Sequence, residues 1–219
     1  MLSGTPFIPE YVTVHLGPPD SDAANVKIPF IEYIQNVASS EIYPTWNENA
    51  LRANIYVITS FVLNRIYTEW YRARGYDFDI TNSTHYDQKF IYQREIFENI
   101  RFLVSELFND YVRRQGSVEP LFTAFCNGTT ALCNGLSQWG TTELAAQGKT
   151  PYEILQYYYG NDIDIVKNAP VQSVEASYPG YVLKLGEADG SVKTIQVQLN
   201  RISRNFPAIP KIAQADGIY

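Results

Sequence analysis

Ile28-Pro29-Phe30-Ile31-Glu32-Tyr33-Ile34-Gln35-Asn36-Val37-Ala38-Ser39-Ser40-Glu41-Ile42-Tyr43-Pro44-Thr45-Trp46, followed by Asn49-Ala50-Leu51-Arg52-Ala53-Asn54, is the stretch on which the fold turns. Phe30, Ile31, Ile34 and Val37 recur at intervals of three and four, so Pro29 to Ser40 reads as an amphipathic helix with Pro29 suited to its first turn. Pro44 forces a turn. A second helix then runs from about Asn47 to Arg74 with Leu51, Ile55, Ile58, Val62 and Ile66 on one stripe, and Gly75 supplies its stop. Glu41 therefore falls at the end of the first helix, beside Tyr43, Pro44 and Trp46.

Working outward, Tyr11 to Leu16 alternates as a half-buried strand does and meets the turn Gly17-Pro18-Pro19. Tyr76 to Asn82 reads as a short strand into a loop. Glu95 to Arg114 reads as a third helix on Ile96, Ile100, Leu103, Leu107 and Tyr111, closed by Gln115-Gly116. Leu121 to Cys126 suggests a buried strand before the loop Asn127-Gly128-Thr129-Thr130. A helix from Ser137 or Gln138 to Gln147 stops at Gly148, and Thr150-Pro151 marks the N-cap and first position of the next, through Tyr159. Asp162 to Val166 is a last short strand.

Lys167 to Pro179 has no hydrophobic period and reads as a linker. Gly190 to Asn205 returns to helical spacing through Val192, Ile195, Leu199 and Ile202, until Pro207 and Pro210 break it. One helix and a loop cannot bury that apolar face alone. The expected class is α+β: a mostly helical domain over residues 1–166 with a small β-sheet, a linker over 167–184, and the truncated start of an all-α module over 185–219.

The 219 residues are 45 % hydrophobic and 18 % charged, an ordinary globular composition that a disordered chain lacks. A net charge of −6 without clustered Lys and Arg argues against nucleic acid as a partner. No run approaches the roughly 20 apolar residues of a transmembrane helix. Met1 to Pro9 lacks the basic and apolar regions of a secretory signal, so synthesis in the cytoplasm is expected.

There is no Gly-rich phosphate loop and no HExxH, and the two His, His15 and His85, supply neither a multi-His metal site nor most His-based triads. His85 lies in a polar stretch and reads as a solvated turn residue. Cys126 and Cys133 flank a Gly-containing loop, a spacing open to three readings: unbridged thiols, a small disulfide, or half of a zinc site. Glu41 is the carboxylate that stands out. The small residues Ala38-Ser39-Ser40 before it leave room for a ligand, and the aromatic residues after it can raise its pKa by desolvation while offering sugar rings a flat face.

The stretch from Ile28 to Asn54 resembles the SpoIID/LytB (stage II sporulation protein D) pattern, roughly V-P-L-E-E-Y-V-x-G-V-V-A-x-E-M-P-x-x-W then E-A-L-K-A-Q. Ile80-Thr81-Asn82-Ser83-Thr84 with Asp87-Gln88, and Gly135-Leu136-Ser137-Gln138-Trp139-Gly140 with the segment to Gly160, fit the same family in order. The resemblance covers about residues 25 to 166. It implies a lytic transglycosylase, a lyase that cleaves the MurNAc-GlcNAc bond of peptidoglycan glycan strands and leaves a 1,6-anhydro end, with Glu41 as catalytic acid/base.

By the same correspondence Arg52, Asn54, Ser137 and Gln138 are expected in the cleft with Tyr43 and Trp46, as glycan contacts or supports of Glu41. The chain departs from the pattern at Thr59-Ser60-Phe61, where the family has Arg-Thr-Tyr, and at Leu132, where it has His. Some members hold zinc around this loop, so Cys126 and Cys133 are candidate partial ligands, although no cofactor is the expectation.

The tail, with Leu185-Gly186, Val192 to Asn200 and Asp216-Gly217-Ile218-Tyr219, resembles the front of a three-helix peptidoglycan-binding domain. The implied setting is the cell wall or spore of a bacterium, during sporulation or germination, reached by a route the sequence does not show. The alternatives are a non-catalytic peptidoglycan-binding or amidase-modifier module of the same fold, and a structural coat protein.

Overall fold

The structure, a computed structural model, describes residues 6–172, 181–186, 188, 190–203, 206 and 208–218. The chain begins with strands β1 (Ile8–Pro9), β2 (Tyr11–His15) and β3 (Asn25–Pro29), and Pro29 leads straight into helix α1 (Phe30–Glu41). Then come α2 (Glu48–Tyr67), β4 (Ile80–Thr81), α3 (Glu98–Leu107), β5 (Tyr111–Arg114), β6 (Phe125–Cys126), β7 (Leu136–Ser137), α4 (Gln138–Ala146) and α5 (Pro151–Tyr159). Strands β8 (Ile163–Val166) and β9 (Val171–Gln172) and helix α6 (Gly190–Ile202) complete the order. The fold mixes helices with small sheets. Contacts divide it into two units, one spanning 6–172 and one formed by the chain from 173 on.

In the first unit α1 buries Phe30, Tyr33, Ile34, Val37 and Ala38, the face its three-and-four spacing dictates. Helix α2 differs from the single stripe expected of it. Fifteen of its twenty residues are buried, so it is the central post of the unit, touching α1, α3, α4, α5, β4 and β5. A helix wrapped on all sides must satisfy its polar side chains internally. Asn54 donates to the Ala50 carbonyl and to Thr141 Oγ1, both at 2.9 Å, and Ser60 Oγ accepts from the Val112 N–H at 2.8 Å.

Two helices are shorter than their periodicity suggests. Helix α2 stops at Tyr67 because Thr68 turns its hydroxyl onto the Asn64 carbonyl and Glu69 takes a left-handed φ of 49°. Trp70 then folds back over the Arg65 guanidinium, 4.4 Å from ring centroid to Cζ. Helix α3 ends at Leu107, and Tyr111 to Arg114 leave the helical path to pair antiparallel with Ile163 to Val166. The side chain of Tyr111 kept the helical interval from Leu107, but the partner strand β8 decides its conformation.

The expected single sheet is four small ones: β3-β2-β4, β5-β8, β6-β7 and β1-β9. Of the strand expected over Leu121 to Cys126, Phe125 and Cys126 alone pair in β6, parallel to β7. Strand β3 forms a hairpin with β2, and β4 joins β2 on its other side in parallel. The capping box expected at Thr150 is present, with Glu153 returning a carboxylate to the Thr150 N–H at 2.9 Å.

The segment read as linker from residue 167 belongs, as far as Gln172, to the first unit. Lys167 Nζ lies 2.7 Å from Asp110 Oδ2, Ala169 is buried, and β9 pairs with β1. Residues 173–180 of the expected linker lie outside the described residues. The second unit holds α6 against the return segment 208–218 through two side-chain amides. Gln196 bonds the Ile218 carbonyl and the Gly217 N–H at 2.8 Å each, and Asn200 bonds Ile212 at both its N–H and its carbonyl. Among the described residues no helix is long and apolar enough to cross a membrane.

One buried ion pair ties the central helix to the chain after β4. Asp87, its side chain fully buried, accepts from Arg65 Nε at 2.9 Å, the Tyr71 hydroxyl at 2.5 Å, and Thr81 through both its N–H (3.0 Å) and its hydroxyl (2.8 Å). Removing one partner of such a pair strands the other charge away from water. Asp87→Ala is expected to destabilise the protein by about 3–5 kcal/mol in denaturant titration. A loss below about 1 kcal/mol would mean that Arg65 regains solvation without it.

Candidate active site

Glu41 is the last residue of α1. The helix ends there because Ile42 is extended and Pro44 follows, with the Ile42 N–H closing the last turn on the Ala38 carbonyl at 3.1 Å. The carboxyl group is partly buried and held from two sides. The Lys89 backbone N–H donates to Oε1 at 2.7 Å, and Gln138 Nε2 donates to Oε2 at 3.2 Å.

These forces oppose one another. Burial raises the pKa of Glu41, while the Lys89 N–H, the Gln138 amide and the Lys89 charge lower it, and burial wins. A carboxylate at a helix C-terminus also meets the negative end of the backbone dipole, which pushes in the same direction as burial. The result is a carboxyl group that keeps its proton to higher pH than an ordinary glutamate, with both oxygens fixed in orientation.

Both donors are themselves positioned. Lys89 follows Asp87 and Gln88, and Gln88 is fully buried, accepting from the Tyr33 hydroxyl at 3.0 Å and donating to the Ile58 carbonyl at 3.1 Å. Gln138 opens α4, its carbonyl accepts from the Thr141 hydroxyl at 2.6 Å, and that hydroxyl accepts from Asn54. A continuous chain of hydrogen bonds thus runs from α2 through α4 to the carboxyl group.

Next to Glu41 three aromatic rings gather. Trp46 and Trp139 lie 5.0 Å apart between centroids, and Tyr43 is 5.7 Å from each. Tyr43 is 58 % exposed and Trp139 40 %, so the cluster presents apolar faces to water. Asn99 Nδ2 fixes the turn between the two helices by donating to the Pro44 carbonyl at 2.6 Å. Trp139 was missed in the sequence reading as a site residue. Its signal was its place directly after Ser137-Gln138. The Lys89 N–H leaves no side-chain signal at all.

The remaining expected site residues fall into two groups. Gln138, Tyr43 and Trp46 lie at or beside Glu41, while Asn54, only 1 % exposed, is an internal strut that reaches the site through Thr141 and cannot touch a ligand. Arg52 commits its guanidinium to Glu48 and Glu106, both at 2.7 Å. Ser137 caps α4, accepting from the Gly140 N–H at 2.9 Å. It is walled in: a Cβ on Gly128 would lie 1.8 Å from its hydroxyl oxygen.

The small residues before Glu41 serve the protein rather than a ligand. Asn36 pairs with both the N–H and the carbonyl of Ile91, Ser39 accepts from the Phe97 N–H, and Ser40 accepts from Arg94 at 2.9 Å. The chain from 89 to 97 occupies the room they leave.

Cys126 and Cys133 form a disulfide with a Cα–Cα distance of 6.1 Å. Leu132, 86 % exposed, stands where the family pattern has His, and with both sulfurs bonded to each other neither Cys offers the thiolate that zinc takes as a ligand. Among the described residues no group of three or more His, Cys, Asp or Glu side chains is placed to hold a metal ion. The loop is built on Asn127, whose Oδ1 accepts from the N–H groups of Thr129, Thr130 and Ala131, and whose carbonyl receives the Trp139 N–H. The disulfide loop therefore braces the aromatic cluster.

No model of a known protein family matches the chain, and no curated protein matches it.

The raised pKa of Glu41 has a consequence for stability. The folded state binds this proton more tightly than the unfolded chain, so the group's contribution is fully present below the ordinary carboxyl value. It is lost as pH rises from there through the raised folded value. Glu41→Gln keeps an acceptor for the Lys89 N–H and removes the titration. It is expected to raise the melting temperature at pH 7 and to gain less at about pH 4. Equal gains at both pH values in a thermal scan would contradict the desolvated carboxyl.

Proposed function

We propose that this chain is a peptidoglycan lytic transglycosylase with Glu41 as its general acid and then its general base. The observation that carries the reading is a single oriented carboxyl group, its pKa raised by burial, beside three aromatic rings of which Tyr43 and Trp139 are exposed. The resemblance of residues 25 to 166 to the SpoIID/LytB pattern supports the same reading independently of the geometry, and the wall-binding resemblance of the tail agrees with it.

The chemistry needs only one carboxyl group. Glu41, protonated, donates its proton to the glycosidic oxygen as the bond from that oxygen to C1 of the muramyl sugar breaks, leaving positive charge shared between C1 and the ring oxygen. The carboxylate so formed accepts the proton of the same sugar's C6 hydroxyl while O6 bonds to C1. Proton and bond counts balance, the enzyme is regenerated, and the strand ends in a 1,6-anhydro sugar. The Lys89 N–H and the Gln138 amide hold the carboxylate in place between the two transfers, and Tyr43, Trp46 and Trp139 offer sugar rings an apolar face.

The second reading is a binding or amidase-modifier module of the same fold. It draws on the two donors that favour the charged form of Glu41, on Thr59 in place of an Arg and on Leu132 in place of a His.

Mass spectrometry of glycan strands after incubation separates the two. Wild type is expected to produce anhydro-muramyl ends, Glu41→Gln to lower their rate by about 10²–10⁴-fold, and Trp139→Ala to lower kcat/KM roughly tenfold. Strands that sediment with the protein yet stay uncut by wild type would leave the binding module standing in place of the enzyme.

A further inference from the structure

A cleft of about 420 Å³ opens along α1, away from the aromatic cluster in the lining it uses: Glu32 and Gln35 of α1, Tyr92, Gln93 and Arg94 of the chain after β4, and Arg101 of α3. Arg52, Arg65, Arg72, Arg113 and Arg114 each pair with a carboxylate, whereas among the described residues Arg94 and Arg101, like Arg74, have none within 4.0 Å.

Arg94 is anchored rather than neutralised, donating from Nε to the Glu95 carbonyl at 3.1 Å and from Nη1 to Ser40 Oγ at 2.9 Å. Arg101 makes one long contact, 3.5 Å, to the buried amide of Gln35. Each keeps N–H groups to spare, and a guanidinium fork matches a carboxylate in geometry as well as charge. Between Tyr92 and Arg94, Gln93 holds a left-handed φ of 61°, a conformation that L side chains adopt at a cost and that recurs at ligand sites. Tyr92, 49 % exposed, adds a flat wall, and Glu32 adds one negative charge from the first turn of α1.

We propose that this cleft binds a short peptide through its carboxylates, which Arg94 and Arg101 receive, with a peptide ammonium facing Glu32. On the reading of Glu41 given above, on which the peptide's identity rests, it is the stem peptide carried by the muramyl sugar of the bound strand. Along α1 the six residues from Gln35 to Glu41 rise about 9 Å, and four extended residues span about 13 Å, so one ligand can reach both places.

The test is fluorescence anisotropy of a labelled synthetic stem tetrapeptide, and of the same peptide with its carboxyls amidated, on the full chain. The free acid is expected to bind, amidation and Arg101→Ala each to weaken binding about tenfold, and Arg101→Lys to restore only part. Glu32→Gln is expected to weaken a peptide carrying an ammonium and to leave its acetylated form unchanged. Equal binding of the acid and amide forms, or indifference to Arg101 in a variant whose unfolding midpoint is unaltered, would overturn the proposal. Peptide binding is read without cleavage. It therefore stands even where glycan strands yield no anhydro ends, and fails separately where they do.

Discussion

The geometry around Glu41 depends on a carboxylate that never meets water. Asp87 is buried against Arg65 of the central helix, and its remaining lone pairs are taken by Tyr71 and Thr81. Those bonds fix where the chain passes after β4. Gln88, immediately next, is locked to α1 through Tyr33 and to α2 through Ile58, so Lys89 has little freedom left when its N–H meets the carboxyl oxygen. The site is built from a backbone donor whose position is set two residues earlier by a buried charge pair. That pair is expensive to desolvate and costly to break on one side, properties that suit a device for holding register more than one for adding stability.

Much of the first unit could be read from the sequence where local rules and tertiary demands agree. Pro29 before an apolar three-and-four pattern marked α1, and Thr150-Pro151-Tyr152-Glu153 marked a capping box, because the chemistry at those positions is complete within a few residues. The errors fell where a distant partner decides. Tyr111 to Arg114 continue a helical interval, yet β8 recruits them into a sheet. Asn25 to Pro29 form a strand, β3, to which no element was assigned apart from Pro29 at the start of the helix, and its partner β2 lies across the turn at Gly17-Pro18-Pro19. Helix α2 carries Asn54, Thr59, Ser60, Asn64 and Arg65 on faces that a stripe argument assigns to water, but neighbours on every side bury them.

In the candidate site Glu41, Tyr43, Trp46 and Gln138, each of which the sequence singles out, come together, while the contacts that hold them were not legible. Ala38-Ser39-Ser40 showed the right property, small size, with the wrong tenant, since the chain from Ile91 to Phe97 fills the space through bonds to Asn36, Ser39 and Ser40. Asn54 and Ser137 are polar residues near the site that work by bracing: one reaches Gln138 through Thr141, the other caps the helix that Gln138 begins. Family-like spacing alone cannot tell a brace from a contact.

Whether such a carboxyl group turns over or merely binds is a question of which of its two forms the surroundings favour. An acid that must give a proton and then take one back needs a pKa near the working pH, and neither extreme serves both steps. Burial favours the protonated form of Glu41, the Lys89 N–H and the Gln138 amide favour the charged form, and burial is the larger influence. Under the proposed mechanism, the same two donors that argue for a binding module would steady the carboxylate formed after the first transfer until it meets the C6 hydroxyl. The opposed influences on one side chain are on this account a single adjustment.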